Sequence, residues 1–223
     1  MFTKILIANR GEIACRIMRS AKRMKIATVA VYSQADADAC HVAMADEAVA
    51  IGPAASAQSY LSSDAILRAV AQTGAQAVHP GYGFLSEHAG FAKALEAAGI
   101  TFIGPGVKAI AAMGDKIESK RLAQAAGVAT VPGHAGVASD ADAALAAARE
   151  LGYPVMLKAS AGGGGKGMRV AFDDTGVAEG FRAAASEAAS SFGDDRIFVE
   201  KFIENPRHIE IQILADLHGN IIH

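Results

Sequence analysis

A short stretch near residue 160 combines the two groups that bind phosphate best, backbone amides and ammonium ions. Four consecutive glycines at 162–165 are followed by Lys166 and Gly167, and Lys158 ends the apolar stretch that precedes them. A glycine run costs backbone entropy, so it indicates close approach to a ligand or a positive φ. Glycine amides can converge on an anion, and flanking lysines add positive charge. The stretch therefore predicts a loop that covers nucleotide phosphates.

Two familiar glycine motifs do not account for this loop. The P-loop motif requires a lysine and a serine or threonine after its last glycine, whereas Gly167 is followed by Met168. Gly162, Gly164 and Gly167 match the dinucleotide fingerprint G-x-G-x-x-G, but that fingerprint opens a helix, and residues 168–172 have the composition of a strand. The pattern favours a glycine hairpin lying over phosphates, with a flexible linker as the alternative.

The composition excludes several classes of partner. The 223 residues carry a net charge of -2, which gives no electrostatic footprint for nucleic acid or for an anionic membrane. No uncharged apolar run reaches the roughly 18 residues that a membrane span needs. Met1 leads straight into an apolar strand, which predicts no targeting segment and a cytoplasmic location. Cys15 and Cys40 lack the spacing of metal ligands and are expected to be reduced.

The first half of the chain predicts a parallel sheet with helices. An apolar strand at Lys4–Ala8 is followed by a helix with apolar residues at helical spacing over Ile13–Met24, and then by a strand at Ile26–Val31. This order is a parallel βαβ unit. The alternation continues, and the glycines of 104–106 predict the end of the domain. The further elements are predicted as strands at 48–51, 77–79 and 101–103 and as helices at 64–72 and 87–98.

The second half predicts a mixed domain around the glycine loop. Ser139 and Asp142 have the spacing of a helix capping box, and Gly152 ends that helix before the strand that leads into the loop. Alternating residues predict a strand at Ile209–Ala215, a turn at Asp216–Gly219 and a returning strand. The remaining predicted elements are short helices at 107–112 and 116–125, a helix at 175–190 and a strand at 197–199.

Five stretches, in order along the chain, carry long and specific sequences. They are I-L-I-A-N-R-G-E-I-A at 5–14, H-P-G-Y-G-F-L-S-E at 79–87, M-G-D-K at 113–116, the glycine loop, and E-K-F-I-E-N-P-R-H-I-E-I-Q at 200–212. In all five the chain resembles biotin carboxylase. The resemblance implies an α/β fold with a Rossmann-like N-terminal biotin carboxylase domain at 1–112 and the start of an ATP-grasp domain at 113–223. A small α+β lid, at about 131–203, would carry the glycine loop.

The resemblance also implies which residues contact the nucleotide. The expected contacts are Lys116 and Lys158 with the phosphates, Gly164 and Gly165 through lid amides, Glu200, Lys201 and Ile203 along the adenine-binding hinge, His208 with the nucleotide, Met168 over the adenine face, and Glu87 near the phosphates. Without the resemblance, Lys116 is a solvated helix lysine, Glu200 and Lys201 are an ordinary strand-end pair, and His208 is a surface histidine.

The reaction that the resemblance implies uses ATP and Mg²⁺ to activate bicarbonate as carboxyphosphate and then carboxylates biotin on a carrier domain. The implied partners are ATP, bicarbonate, the biotin carboxyl carrier domain and a carboxyltransferase subunit, with a homodimer for the full-length protein. Catalytic residues and magnesium ligands are expected beyond residue 223, so the 223 residues alone are expected to lack turnover. The choice of acyl-CoA would reside in the transferase.

Three alternatives stay open. A non-catalytic nucleotide-binding module would retain the glycine loop without a metal site. Another ATP-grasp ligase, such as a carbamoyl-phosphate synthetase domain, would also activate bicarbonate, and the stretch at 79–87 argues for the carboxylases. A dinucleotide-dependent oxidoreductase is the weakest alternative, because the turn at Asn9-Arg10-Gly11 carries one glycine rather than three.

Overall fold

The computed structural model describes residues 1–134, 136–160 and 167–223. These residues form two compact units, Met1–Ser119 and Lys120–His223. In the described part of the chain, no helix is both long and apolar enough to cross a membrane.

Strands and helices alternate along the first unit, as the sequence predicts. The sheet has the parallel order β3-β2-β1-β4-β5, which is a doubly wound order with the switch point between β1 and β4. The elements are β1 (Lys4–Ile7), α1 (Gly11–Arg23), β2 (Ala27–Ser33), α2 (Cys40–Met44), β3 (Glu47–Gly52), α3 (Ser63–Thr73), β4 (Ala77–His79), α4 (Ala89–Ala97), β5 (Thr101–Phe102), α5 (Val107–Gly114) and α6 (Lys116–Ala125), the last of which continues into the second unit.

Apolar side chains cover both faces of this parallel sheet. On one face, Ile66 of α3 and Phe91 of α4 pack in a core with Leu6 of β1. On the other, Ile17 and Met18 of α1 pack in a second core. Because a strand buried on both faces reads as a continuous apolar run, the sequence at 5–8 identifies the centre of the sheet.

The second unit is built on an antiparallel sheet in the order β7-β6-β8. Two helices pack on one face of it through alanine-rich surfaces. A separate two-stranded hairpin comes last, with a turn at Asp216–Gly219 as predicted. The elements are α7 (Ala141–Leu151), β6 (Val155–Ala159), β7 (Met168–Ala171), α8 (Asp174–Phe192), β8 (Ile197–Lys201), β9 (Leu214–Ala215) and β10 (Ile221–Ile222).

For two helices, a side-chain cap explains why the start differs from the prediction by one or two residues. The N-cap of α7 is Asp140, whose Oδ1 accepts a hydrogen bond from the amide of Ala143, so the predicted capping box at Ser139 is wrong. Ser139 instead donates to the Asp140 carboxylate. The helix predicted from residue 87 begins at Ala89, because His88 accepts from the amide of Phe91 and caps it.

The strand predicted at 209–215 is wrong in length. Only Leu214 and Ala215 pair, with Ile222 and Ile221. The alternating side chains before them, such as Ile211, are more than half exposed and stand outside any strand. The alternating apolar residues have the spacing of a strand. An isolated hairpin, however, supplies too few partner residues to extend the hydrogen-bonded ladder.

Candidate functional site

The sheet of the second unit has two chemically different faces. Val155, Leu157 and Ala159 of β6 are buried in the core formed with α7 and α8. Successive side chains of a strand point to opposite faces. Met156 and Lys158 therefore lie on the face of the sheet away from α7 and α8.

The antiparallel register brings three of the predicted site residues to that face. Lys158 pairs with Met168 of β7, and Met156 pairs with Glu200 of β8. Directly opposite residues of antiparallel strands share a face. A cation, a carboxylate and a thioether thus lie together, next to the strand ends between which the glycine loop runs.

Two lysines share the Glu200 carboxylate. Lys158 donates a hydrogen bond from Nζ to Glu200 Oε1, and the Nζ of Lys120 lies 3.7 Å from Oε2. The three side chains are largely buried, with exposed fractions of 23% for Lys158, 12% for Glu200 and 16% for Lys120. Two ammonium groups against one carboxylate leave a net positive charge, which is the charge that a phosphate group requires.

The other two residues predicted for the adenine hinge, and the predicted nucleotide contact His208, are not part of this cluster. Lys201 is on the opposite face of β8, and its Nζ donates to the carbonyls of Gly152 and Tyr153 at 2.9 and 2.7 Å. Any contact of Lys201 with a nucleotide would therefore be through its backbone. Ile203 is 45% exposed after the strand. His208 is exposed and lies 2.9 Å from the Glu210 carboxylate.

The return of the glycine loop is fixed at Gly167. Its φ is +66°, and a Cβ there would come within 2.7 Å of the Ala159 Cβ, so only glycine fits. Its carbonyl accepts from the amide of Ala159 at 2.8 Å, and its own amide donates to Glu187 Oε2 at 3.0 Å. The predicted lid contacts Gly164 and Gly165, with Lys166, lie outside the described residues.

Lys116 begins α6. Asp115 caps this helix, because its Oδ1 accepts from the amides of Ile117 and Glu118 at 2.9 and 3.0 Å. Asp115 thereby explains the acidic residue of the M-G-D-K stretch. A lysine in the first turn opposes the helix dipole, so helix stability does not account for Lys116.

The crevice at the sheet's switch point is bridged by the protein itself. Asn9 follows β1 and is 3% exposed, and its Nδ2 donates to the carbonyls of Pro80 and Tyr82, both at 2.8 Å. A Cβ on Gly81 would lie 2.7 Å from that same Nδ2. Dinucleotides bind in this crevice in doubly wound folds. The bridge of Asn9 to the loop after β4 therefore argues against the oxidoreductase alternative.

His79 and Glu87, the two ends of the stretch at 79–87, differ in their surroundings. His79 stabilises the turn, because its Nδ1 accepts a hydrogen bond from the amide of Gly81 at 3.1 Å. Burial lowers the pKa of this histidine. Glu87 is exposed at the far end of the stretch. The structure brings Glu87 into no described contact with the other site residues of the first unit, and its role stays a prediction.

An ion pair stabilises the turn after β1. Arg10 donates from Nε and Nη2 to the two oxygens of Asp36, which also accepts from the Tyr60 hydroxyl at 2.6 Å. The Arg10 guanidinium holds the pKa of this buried carboxyl well below its usual range. Both carboxylate oxygens of Asp36 thus accept hydrogen bonds from the protein, which indicates a structural role for this ion pair.

The described residues do not provide a magnesium site. Among them, no three histidine, cysteine or acidic side chains cluster closely enough to hold a metal ion. The Glu200 carboxylate is committed to Lys158 and Lys120. No catalytic step is therefore assigned to a metal held by these residues.

Lys120 is the residue that the sequence analysis missed. Its Nζ is buried and has no hydrogen-bond partner among the described residues. A signal was present, since Lys120 follows Lys116 by four residues and lies on the same face of α6. A lysine on a polar helix is usually solvated, so the sequence alone favours a solvent-exposed position for Lys120.

Two family models together match nearly the whole chain. Residues 1–110 match the biotin carboxylase N-terminal domain, and residues 115–223 match the ATP-binding domain of the carbamoyl-phosphate synthase L chain. The boundary between the two models falls within the M-G-D-K stretch.

Individual relatives agree with these models. The mitochondrial propionyl-CoA carboxylase alpha chain of Sus scrofa is 65% identical over 221 residues, 99% of this chain and 30% of the relative. The structure of Campylobacter jejuni biotin carboxylase in a β,γ-ATP complex is 47% identical with a TM-score of 0.96, over 100% of this chain and 50% of that one.

A third relative was solved with several ligands. The biotin carboxylase domain dimer of Hydrogenobacter thermophilus 2-oxoglutarate carboxylase, in complex with MgADP, ADP and bicarbonate, is 49% identical with a TM-score of 0.94. The match covers 100% of this chain and 49% of that one. The chain thus spans about a third of the pig relative and half of the two solved structures.

Proposed function

Because this chain belongs to the biotin carboxylase family, we propose that it forms the nucleotide-binding part of a biotin carboxylase within an acyl-CoA carboxylase alpha chain. The whole protein would use ATP and bicarbonate to carboxylate biotin on a carrier domain. The observation that carries this proposal is the meeting of Lys158, Glu200 and Met168 on one face of the sheet, on and next to the two strands that the glycine loop connects.

The chemistry proposed for this face is charge neutralisation and positioning. Bicarbonate oxygen attacks the γ-phosphorus of ATP, the bond to the β-γ bridging oxygen breaks, and ADP and carboxyphosphate result. The carboxyl group of carboxyphosphate then passes to a ureido nitrogen of biotin as its C–O bond to phosphate breaks, and the released phosphate takes up the proton that the nitrogen loses. Such phosphoryl transfer depends mainly on held geometry and on cations near the phosphate oxygens. Lys158 would supply one cation, with Glu200 fixing the direction of its ammonium group.

We also propose contacts to the base and to the phosphates. Met168, which pairs with Lys158 across the strands, would cover the base with its apolar side chain, and the strand end after Glu200 would offer backbone groups to the edge of the base. Gly164 and Gly165 would donate their amides to the phosphates. Magnesium would arrive with the nucleotide and neutralise phosphate charge.

The wider assignment follows the relatives. The pig relative is named a propionyl-CoA carboxylase, so we propose propionyl-CoA as the acyl substrate of the parent complex, with a biotin carrier domain and a carboxyltransferase as partners. The solved domain from Hydrogenobacter is a dimer, and we propose a homodimer for the full-length chain. The two solved relatives are bacterial and the pig relative is mitochondrial, and we propose a cytoplasmic location here.

The experiment is ATP cleavage by the full-length protein. We expect ADP release that requires bicarbonate and is stimulated by biotin. Lys158→Met should reduce kcat/KM for ATP, whereas Arg182→Met, which removes an exposed charge from α8 on the other side of the sheet, should not. ATP binding without any turnover would instead identify a non-catalytic nucleotide-binding module.

A carbamoyl-phosphate synthetase domain is the second candidate, since residues 115–223 match the ATP-binding domain named for that enzyme. This candidate predicts carbamoyl phosphate when ammonia is supplied with ATP and bicarbonate, and no stimulation by biotin. The match of residues 1–110 to the biotin carboxylase N-terminal domain favours the first candidate.

A further inference from the structure

Lys120 is a buried cation without a hydrogen-bond partner in the part of the chain that the structure describes. Its Nζ lies 3.7 Å from Glu200 Oε2. This distance allows electrostatic attraction but exceeds that of a hydrogen bond. An ammonium group carries three donors, and leaving them unused away from water is costly.

The neighbouring charges do not compensate Lys120. Glu200 already accepts a hydrogen bond from Lys158 on its other oxygen. The carboxylate therefore faces two ammonium groups, and the cluster is short of one negative charge. Because all three side chains are at least three-quarters buried, water screens this imbalance poorly.

The space for the ammonium group depends on Gly133. This glycine is bridged to Glu200, and its flanking residues are held to β8 by hydrogen bonds from His134 N to Val199 O and from Lys201 N to Pro132 O. A Cβ on Gly133 would lie 2.6 Å from the Lys120 Nζ and 3.0 Å from the Glu200 Cβ. Any side chain at this position would displace the lysine head from its site.

We infer that Lys120 donates a hydrogen bond to a phosphate oxygen of the bound nucleotide, as a phosphate ligand additional to Lys158. The inference rests on the proposed function and extends it to a residue that the sequence analysis did not assign. A phosphate supplies both what the cluster lacks, a negative charge, and what the ammonium lacks, an acceptor. A neutral acceptor on the base would leave the charge uncompensated.

A purely structural role makes the opposite prediction. A lysine that holds Glu200 in place would lie within hydrogen-bond distance of it, and its loss would destabilise the free protein. A lysine whose hydrogen-bond acceptor is the ligand has no such acceptor among the described residues of the free protein. Its replacement by an apolar residue of similar length should leave the stability of the ligand-free protein unchanged or raise it.

The test uses Lys120→Met in the full-length protein, with dissociation constants for ATP and for adenosine. We expect the Kd for ATP to rise by roughly ten- to a hundredfold, as for loss of a charged hydrogen bond, and the Kd for adenosine to change less than about twofold. Lys120→Arg should recover part of the loss. Gly133→Ala should weaken ATP binding in the same direction, because it displaces the ammonium group. Arg182→Met serves as the matched loss of one positive charge.

The outcomes separate this inference from the proposed function. If the unaltered protein binds no ATP, the proposed function fails and the inference with it. If it binds ATP and Lys120→Met binds as tightly, only the inference is overturned. An equal loss for ATP and adenosine would place Lys120 at the base and also overturn it. A lower Tm of the ligand-free variant, with equal losses for both ligands, would show a structural role instead.

Discussion

Replacing Gly167 with alanine should loosen the strand pair that carries the glycine loop. Gly167 has a φ of +66°, and an added Cβ would lie 2.7 Å from the Cβ of Ala159 on β6. The hydrogen bond from Ala159 N to Gly167 O, at 2.8 Å, holds the two backbones at this separation. Relief of the contact would have to break or lengthen that bond.

The expected loss of stability has a backbone part and an overpacking part. A substitution at a second glycine, Gly193, measures the backbone part alone. A residue with a Cβ in the left-handed region costs about 1–2 kcal/mol, and overpacking of this kind costs about 1–3 kcal/mol more. Gly167→Ala should therefore destabilise the hairpin by about 2–5 kcal/mol. Gly193 ends α8 with a φ of +70° and nothing within 4 Å of an added Cβ. Gly193→Ala should cost the backbone part alone, about 1–2 kcal/mol.

Amide hydrogen exchange in the full-length protein provides the assay. The free energy of opening is read from peptides that cover β6 and β7, with mass spectrometry as the detector. We expect a loss of protection in Gly167→Ala that exceeds the loss in Gly193→Ala by about five- to 150-fold, which corresponds to the overpacking part of about 1–3 kcal/mol. Equal losses in the two variants would refute the close approach of Gly167 to Ala159 as the reason for the glycine.

Two predictions concern the first unit. Because Arg10 lowers the folded-state pKa of Asp36, the ion pair stabilises the unit above about pH 4 and loses that contribution as the pH falls towards the folded pKa. Asp36→Asn should lower the free energy of unfolding at pH 7 by about 3 kcal/mol and flatten its decline in acid, which urea titrations at pH 7 and 3 would measure; an unchanged acid slope would contradict this. Asn9→Ala should cost about 2–4 kcal/mol, because the carbonyls of Pro80 and Tyr82 lose their donor, and exchange at the amides of β1 and β4 should rise. Unchanged exchange would show that water replaces the amide.

The fold of the first unit follows from local patterns that the sequence displays. The continuous apolar run at 5–8 and the helical spacing over Ile13–Met24 are determined by burial on both faces of one sheet. The strand predicted at Ile209–Ala215 shows the limit of such patterns. Alternation specifies which side chains share a face, but pairing depends on a partner strand, and only two residues find one.

Some residues of the candidate site could also be predicted from the sequence, and others depend on the tertiary structure. Lys158, Met168 and Glu200 came from motif resemblance, and the antiparallel register accounts for their meeting on one face. The spacing of Lys120 from Lys116 was the one sequence signal for it, but the space for its ammonium group depends on Gly133, opposite Glu200, which the pattern of its own helix does not show. The shift of the α7 cap from Ser139 to its neighbour has a local cause, since both residue types cap helices well.

The most direct test of the account is a crystal structure of the full-length protein with magnesium and a non-hydrolysable ATP analogue. A phosphate oxygen should lie about 2.8 Å from the Lys158 Nζ, on the face of β6 opposite α7 and α8, with the glycine loop over the phosphates. A nucleotide bound elsewhere, with no phosphate beside Lys158, would contradict the central claim.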